Sequence, residues 1–220
     1  MAYEFNGTDE SLSLDATKVV VGNSGTICAW VYPTATPTAF NSIFWRIRTT
    51  AGSFNSPAIA LGAGNQIVLS VQDGSNSNLN FVSSNNAAPN NQWTHVSASW
   101  DQSDGGRIYI NGGADGTAAT SGTINVGTTH SQTIGARVVF SGSAFDRHFA
   151  GRVAVFAIYS VVLTAAEIAS LAKGMTCDKI RPQNLVFYAP LVRDLIDQKG
   201  GLTITNNNAA TVAAHTRVYA

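Results

Sequence analysis

The sequence predicts an all-β protein, a two-sheet antiparallel β-sandwich with one short helix near residues 164–173. Residues 149–159 are largely apolar on both faces, which is typical of a strand that is covered on both sides. A helix with signals at both ends follows this strand directly, and turn residues divide much of the remaining chain into short strands. One helix in an otherwise strand-rich chain indicates two packed sheets.

Two sets of mostly apolar residues alternate along the strand before the helix. We expect one set on each face of the sheet, because successive side chains of a strand point to opposite sides. The first set is Val153, Val155, Ala157 and Tyr159, and the second is Ala154, Phe156 and Ile158.

The helix that follows carries the signals of a complete short helix. Thr164 is placed as the N-cap, and Glu167 three residues later completes a capping box. Leu163 and Ile168 have the spacing of a hydrophobic staple across this cap. The helix should end at Lys173–Gly174, because a cation suits the helix dipole and glycine adopts a positive φ without a Cβ clash.

Turn signals bound the other predicted strands. Asn111-Gly112 is the clearest hairpin signal, because both residues accept the positive φ of a type I′ turn. The predicted strands are Phe40–Thr49, Gln66–Gln72 and Leu79–Ser83. The turns that bound them are Gly52-Ser53, Gly62–Gly64, Asp73-Gly74 and Asn85–Asn91.

Four segments, in the expected order, resemble strands of the laminin G-like, concanavalin A-like jelly rolls. They are YEFNGTDESLSL (Tyr3–Leu14), GTICAWVYP (Gly25–Pro33), QWTHVSASWD with GRIYINGG (Gln92–Gly113) and FAGRVAVFAIYSVVLTAAEIASLAKG (Phe149–Gly174). The match covers most of residues 3–174 and implies a jelly-roll sandwich. The resemblance also implies core positions for Trp30, Trp93 and Trp100.

The C-terminal segment resembles a part of the family that normally comes first. Residues 185–212 look like the opening segment of many laminin G-like domains. Chain termini often lie close together in a domain, so an edge segment can move from one end to the other and preserve the fold. We expect a single domain over residues 1–220, with residues 178–220 completing the sandwich and Phe187 and Ala189 pointing into it. The alternative is that residues 178–220 form an arm that docks on a neighbouring subunit.

Few charges are available for the protein surface. Charged residues make up 12% of the chain, against about 25% in a typical protein, and 13 Lys and Arg balance 13 Asp and Glu. Without a basic stripe the chain has no groups to neutralise phosphates, so nucleic-acid binding is not expected. The near-zero net charge removes a barrier to association and suits a packed assembly or a sugar-facing protein.

The chain has two cysteines, Cys28 in an apolar strand and Cys177 just past the helix. This placement favours two unpaired thiols, and a disulfide between them is the alternative. No apolar run approaches the roughly 18 residues of a membrane span, and MAYEFNG enters the first predicted strand at once. We therefore expect no signal peptide, no export by that route and no membrane partner.

The sequence contains no recognisable set of catalytic residues. Glucanases that share this sandwich use closely spaced carboxylates on one strand, and that spacing is absent. We interpret Asp9-Glu10 and Asp15 as a polar loop and a strand edge, and Glu167 as a helix cap. The histidines have no metal-ligand spacing, and we predict no enzyme and no catalytic residue. They are His95, His130, His148 and His215.

The best local match to a calcium loop is Asp101–Gly106. No glutamate follows at a ligand spacing, so we interpret it as an Asx-type turn between two strands. Related domains often carry an acid where this chain has Ala154 and Val155. We predict no metal site and no cofactor. Asn6-Gly7-Thr8 matches a glycosylation sequon, which we expect to stay unmodified.

A sugar site needs exposed aromatic rings beside amide or carboxylate groups. The candidates are Trp45, Phe54 and Tyr32. Because Trp45 lies in an alternating strand and Tyr32 follows another, we expect both to be buried in the core. No ligand-binding face can be assigned on this basis.

Two functions from different classes remain. Small laminin G-like proteins without a signal peptide that end in a segment such as VAAHTRVYA resemble proteins encoded among phage structural genes. This resemblance implies a non-enzymatic virion protein that decorates a capsid or tail, with virion proteins or copies of itself as partners and weak glycan adhesion. The alternative is a free, carbohydrate-binding, lectin-like module. Fold alone does not choose between them, and we expect the first.

Overall fold

The computed structural model describes residues 1–15, 19, 22–48, 55–72, 78–118, 130–139 and 144–215. Within this part of the chain, one α-helix, α1, spans Ala165–Ala172. The strands are β1 (Ala2–Asn6), β2 (Ser11–Leu14), β3 (Ser24–Pro33), β4 (Asn41–Arg48), β5 (Asn55–Leu61), β6 (Gln66–Gln72), β7 (Asn78–Ala87), β8 (Thr94–Asp101), β9 (Gly105–Ile110), β10 (Gly113–Ala118), β11 (His130–Ile134), β12 (Arg137–Val138), β13 (Phe145–Asp146), β14 (Ala150–Tyr159), β15 (Leu185–Ala189), β16 (Thr205–Asn207) and β17 (Thr211–Ala213).

The strands form two large antiparallel sheets and one short hairpin. Sheet A has the order β10-β9-β8-β3-β14-β1-β17, with β15 also paired to β14. Sheet B has the order β16-β2-β11-β4-β5-β6-β7, and β12 pairs with β13. The predicted two-sheet sandwich with one helix is confirmed.

The main hydrophobic core lies between the two sheets. Trp100 of β8 is fully buried there, as the resemblance implies, and its indole N–H donates to the Gly22 carbonyl over 3.1 Å. Phe44 of β4 packs against Phe156 of β14, with ring centroids 5.2 Å apart. Burial of such large apolar side chains stabilises the sandwich by about 1.5–3 kcal/mol each.

Strand β14 is buried on both faces, as predicted, but its alternation is broken. The register with β3 shifts between Ala154 and Ala157, and Val155 has a φ of 51°. This bulge puts Val155 in the same outer cluster as Ala154, whereas Val153 packs in the main core. The prediction that Val153 and Val155 share a face is wrong, because a bulge adds one residue to the strand. The Val155 N–H donates to the Pro190 carbonyl over 3.0 Å, where the neighbour of β14 changes from β1 to β15.

The predicted helix signals are confirmed at both ends. Thr164 Oγ1 accepts a hydrogen bond from the Glu167 N–H, and the Thr164 N–H donates to Glu167 Oε2. Gly174 follows the helix with a φ of 100°. The Met175 N–H donates to the Ser170 carbonyl, which completes a Schellman end.

The helix packs on the outer face of sheet A. Leu163 and Ile168, the predicted staple, are buried there in one cluster with Leu171. Thr26 Oγ1 on β3 donates to the Val161 carbonyl over 2.9 Å and accepts from the Leu163 N–H over 3.0 Å. This hydroxyl fixes the connection between β14 and α1 to the sheet. No helix in the described residues is both long and apolar enough to cross a membrane.

Most of the local strand and turn predictions are confirmed. The predicted strand Gln66–Gln72 is β6, and the prediction over Phe40–Thr49 corresponds to β4. At the predicted hairpin, Asn111 and Gly112 have φ angles of 50° and 83°. At the predicted turn over residues 62–64, the Gly62 N–H donates to the Gln66 carbonyl over 2.7 Å. Strand β7 continues to Ala87, so the turn predicted from Asn85 onward begins too early. The turns at Gly52-Ser53 and Asp73-Gly74 lie outside the described residues.

The segment after the helix contributes strands to both sheets. Strand β15 pairs antiparallel with β14, and Phe187 and Ala189 are buried in the core between the sheets. Strand β16 pairs with β2 of sheet B, and β17 pairs with β1 of sheet A. The assignment of residues 1–220 to one domain stays a prediction, which substitution in β15 tests.

Candidate functional site

A cleft lies at one edge of the sandwich, where β7 of sheet B approaches β10 of sheet A. Among the described strands, each of these two is the last of its sheet. The cleft, called the edge cleft below, has a volume of about 430 Å³. This volume lies within the roughly 300–1,000 Å³ of small-molecule sites. The lining residues are Ser83, Asn85, Ala114, Asp115, Gly116 and Thr117.

A bulge in β10 aims Asp115 across the edge cleft. The register with β9 passes from Ala114 to Gly116 and skips Asp115, and a bulge of this kind re-aims a side chain. The Asp115 carboxylate accepts hydrogen bonds from the Asn86 N–H over 3.0 Å and from Asn86 Nδ2 over 2.6 Å. Asn85 Nδ2 donates to the Asp115 carbonyl over 2.5 Å. These bonds join the two sheets and hold the carboxylate in one orientation.

The edge cleft offers hydrogen-bonding groups on exposed side chains. Ser83 and Thr117 are exposed, and their hydroxyl groups can donate and accept. The Asp115 carboxylate has acceptor positions beyond the two that Asn86 uses. Asp115 carries the only formal charge among the described lining residues. The arrangement therefore suits an uncharged molecule with many hydroxyl groups better than an anion.

Trp45 is buried, but in a small cluster separate from the main core where we expected it. This cluster includes Ala58 and Val138. The guanidinium carbons of Arg137 and Arg147 lie 5.6 and 5.5 Å from the Trp45 ring centroid. A guanidinium over an aromatic ring occupies the surface on which a sugar would stack. Trp45 therefore offers no open platform to a sugar.

Tyr32 lies on the outer face of sheet A and is only partly buried, so the prediction of core burial is wrong for this residue. Its ring lies 5.4 Å from that of Trp93, and the Arg152 guanidinium carbon lies 5.0 Å from the Tyr32 centroid. Trp30 and Trp93 are also partly buried and pack against the outer cluster. The core positions implied for these two tryptophans are wrong, because they occupy outward-facing positions. The third aromatic candidate, Phe54, lies outside the described residues.

Two histidines meet in this aromatic cluster, although nothing in their spacing indicates it. The rings of His95 and His215 lie 5.4 and 6.0 Å from Trp30, and His215 lies 4.2 Å from Trp93. Burial lowers the pKa of His95 to about 3 and that of His215 to about 4. Both rings are therefore neutral near pH 7. No group of three or more His, Cys, Asp or Glu side chains could hold a metal ion within the described part of the chain.

Other candidate carboxylates stabilise turns. Asp101 Oδ1 accepts from the Ser103 N–H over 2.8 Å, which confirms the predicted Asx-type turn. Glu10 Oε2 accepts from the Asn6 N–H over 2.7 Å, and Asp9 Oδ1 accepts from Asn6 Nδ2 over 2.8 Å. Asp9-Glu10 is therefore the polar loop that the sequence predicts.

Sequence reasoning does not find the edge cleft. Asn85 and Asp115 are 30 residues apart, and only the approach of two sheet edges brings them together. One local signal is present in the Gly-Ala-Asp-Gly run at residues 113–116. Glycine within a strand often marks a bulge, and an acid at that point can be aimed out of the sheet.

Comparison with known proteins identifies the family of the chain. A laminin G-like family model, described as the concanavalin A-like lectin/glucanases superfamily, matches residues 6–169. A search of curated proteins finds no match.

Three solved structures show the fold in other proteins. The heptameric SAP-like pentraxin from Limulus polyphemus aligns over 94% of both chains with a TM-score of 0.68 and 19% identity. Domain 4 of an extracellular arabinanase from Geobacillus stearothermophilus, solved with arabinotriose, covers 78% of this chain and 76% of that chain with a TM-score of 0.57 and 22% identity. The CBM40 of a Ruminococcus gnavus sialidase, bound to α2,3-sialyllactose, covers 78% and 98% with a TM-score of 0.63 and 14% identity.

Proposed function

Because the chain belongs to the concanavalin A-like lectin/glucanase superfamily, we propose that it is a lectin-like module that binds a neutral oligosaccharide in the edge cleft. The observation that carries this proposal is the composition of the cleft: hydroxyl, amide and carboxylate groups around about 430 Å³ of space. A sugar presents many hydroxyl groups, and fixed donors and acceptors give such a ligand its orientation. The carboxylate of Asp115 is fixed in this way by Asn86.

Similar folds in other proteins support sugar binding as the class of activity. The arabinanase domain was solved with arabinotriose and the sialidase module with sialyllactose. The first ligand is neutral and the second is anionic. A single negative charge on the described lining disfavours an anionic sugar in the edge cleft, because like charges repel most where water is partly excluded. A neutral ligand such as the first is therefore proposed for this chain.

We propose binding without hydrolysis. Glycosidases place two carboxyl groups about 5–9.5 Å apart, one as an acid and one as a nucleophile or base. The described lining of the edge cleft contains one carboxylate, Asp115. One carboxylate is sufficient to accept hydrogen bonds from a sugar and insufficient for this two-carboxylate mechanism.

The virion role expected from the sequence stays a prediction. The same holds for virion proteins as partners and for a location in the virion. The proposed glycan binding requires no virion partner and no location in a virion, since a lectin-like module binds sugar through its own cleft.

A panel of immobilised trisaccharides tests the proposed function. The intact protein should be retained by at least one neutral probe among arabinotriose, xylotriose and cellotriose, and not by α2,3-sialyllactose at the same density. The bound sugar should be recovered uncleaved. Retention by sialyllactose alone, or by no probe in the panel, would contradict the proposal.

A further inference from the structure

A pair of cysteines lies in the outer cluster of sheet A, apart from the edge cleft. Cys28 belongs to β3, and Cys177 begins a short 3₁₀ turn after the helix, over Cys177–Lys179. Both are free thiols and about 1% exposed, and their Sγ atoms lie 4.0 Å apart. They are 149 residues apart in sequence, so the fold alone brings them into contact.

The surroundings hold the two sulfur atoms together. The Tyr159 hydroxyl donates to the Cys177 carbonyl over 2.8 Å, which fixes the 3₁₀ turn on sheet A. Cys28 lies in the interior of sheet A, in register with Ala157 on β14 and with Ser97 on β8. Each thiol therefore has the other as a neighbour inside a closed apolar cluster.

The geometry points to Cys28 and Cys177 as a disulfide site that is oxidised by thiol–disulfide exchange with a low-molecular-weight disulfide such as oxidised glutathione. One protein thiolate attacks a sulfur of the oxidant and releases one glutathione thiolate. The second protein thiolate then attacks the mixed disulfide and releases the other. Two protons and two electrons leave the protein, and the oxidant becomes two molecules of reduced glutathione.

The thiol–disulfide exchange takes place while the chain folds, before the two thiols are buried. The hydrogen bond to Cys177 and burial raise the pKa of the Cys28 thiol. Cys28 therefore forms little thiolate in the folded state, and both sulfur atoms are buried, so exchange there is slow. During folding the thiols are accessible, and the native contact then selects this pair.

The bond would attach the C-terminal segment to the body of the sandwich. Cys177 lies between α1 and β15, so a link to β3 ties the connection that leads into β15 to the centre of sheet A. A crosslink that closes a loop of this length removes much chain entropy from the unfolded state. We expect the oxidised protein to unfold about 5–15 °C above the reduced protein.

Refolding in a mixture of reduced and oxidised glutathione tests the site. The product is denatured and treated with iodoacetamide, and its intact mass and disulfide-linked peptides are measured. We expect no alkylation, a mass lower by two hydrogen atoms, a peptide pair that joins Cys28 to Cys177, and the higher unfolding temperature. Full alkylation of both cysteines, glutathione retained on both, or a link between two chains would overturn the inference.

A single-cysteine variant provides the matched control. Cys177→Ala, refolded in the same mixture, should keep Cys28 as a thiol that iodoacetamide alkylates once after denaturation, because Cys28 is buried in the folded protein. It should unfold at the same temperature as the same variant refolded under reducing conditions. A rise of the same size in this variant would overturn the inference, because it would show that the intramolecular bond is not its source. Each protein is compared with its own reduced form, so a lower stability of the variant does not affect the comparison.

Discussion

The substitution Phe187→Ala tests whether the C-terminal segment completes the core of its own chain. Phe187 on β15 is fully buried, and its ring lies 5.9 Å from that of Phe156 on β14. Phe156 in turn contacts Phe44 of sheet B at 5.2 Å. The Phe187 ring therefore belongs to a chain of aromatic contacts that crosses the sandwich.

The expected loss of stability is large. Truncating a buried phenylalanine to alanine removes its burial energy and leaves a cavity, which together cost about 3–5 kcal/mol. The free energy of unfolding of an ordinary domain is about 5–15 kcal/mol in total. For a chain of this length, the loss corresponds to a fall of about 6–20 °C in unfolding temperature.

Urea unfolding followed by tryptophan fluorescence measures this loss at several protein concentrations. The matched control is Val192→Ala in the same segment, where the side chain is 41% exposed and the change should be within about 0.5 kcal/mol. If the segment docks on a neighbouring subunit instead, Phe187→Ala would leave the unfolding of a dilute monomer unchanged and abolish only its association. That result would refute the placement of β15 in its own chain.

Three further predictions concern the cap, the buried histidine and the acidic turn. Thr164→Ala removes the hydroxyl that caps α1 and should lower stability by about 1 kcal/mol, measured by thermal unfolding, while Ser170→Ala on the helix surface should change it less. Burial lowers the pKa of His95 to about 3, so the unfolded chain binds a proton below about pH 6.5 that the folded chain does not. Stability should therefore fall by about 2 kcal/mol from pH 7 to pH 5 through this group, and urea unfolding of His95→Asn should show a weaker pH dependence. Because Asp101 stabilises an Asx-type turn, EDTA and millimolar calcium should give the same unfolding midpoint; a calcium-dependent rise that Asp101→Ala abolishes would contradict this interpretation.

The elements that sequence reasoning predicts well depend on neighbouring residues in the chain. The capping box of Thr164 and Glu167 needs four consecutive positions, and the Asn111-Gly112 turn needs two. Strand β5 is missed, because Pro57 lies within it and proline lacks the N–H that a central strand donates.

The remaining differences arise where distant segments meet. The bulge at Val155 occurs where β14 exchanges β1 for β15, and no pattern within residues 150–159 indicates that exchange. Trp30 is a large apolar residue of the kind found in cores, yet the pleat of β3 points its side chain to the outer face of sheet A. The edge cleft depends on the approach of β7 to β10, which is a property of the whole sandwich. The candidate site is therefore a tertiary feature, and its chemistry is visible only after the sheets are assembled.

Isothermal titration of the neutral trisaccharide that the panel selects, into wild-type protein and two carboxylate variants, tests the central claim most directly. Asp115→Ala should weaken binding by about 10-fold or more, because a hydrogen bond to a charged group is worth about 1.5–3 kcal/mol. Asp104→Ala removes the same charge from an exposed turn outside the described cleft lining, where Asp104 pairs with Arg107, and should leave the affinity unchanged. Thermal unfolding of each variant confirms that it is folded. Equal affinity for Asp115→Ala and the wild type would contradict the assignment of the edge cleft as the sugar site.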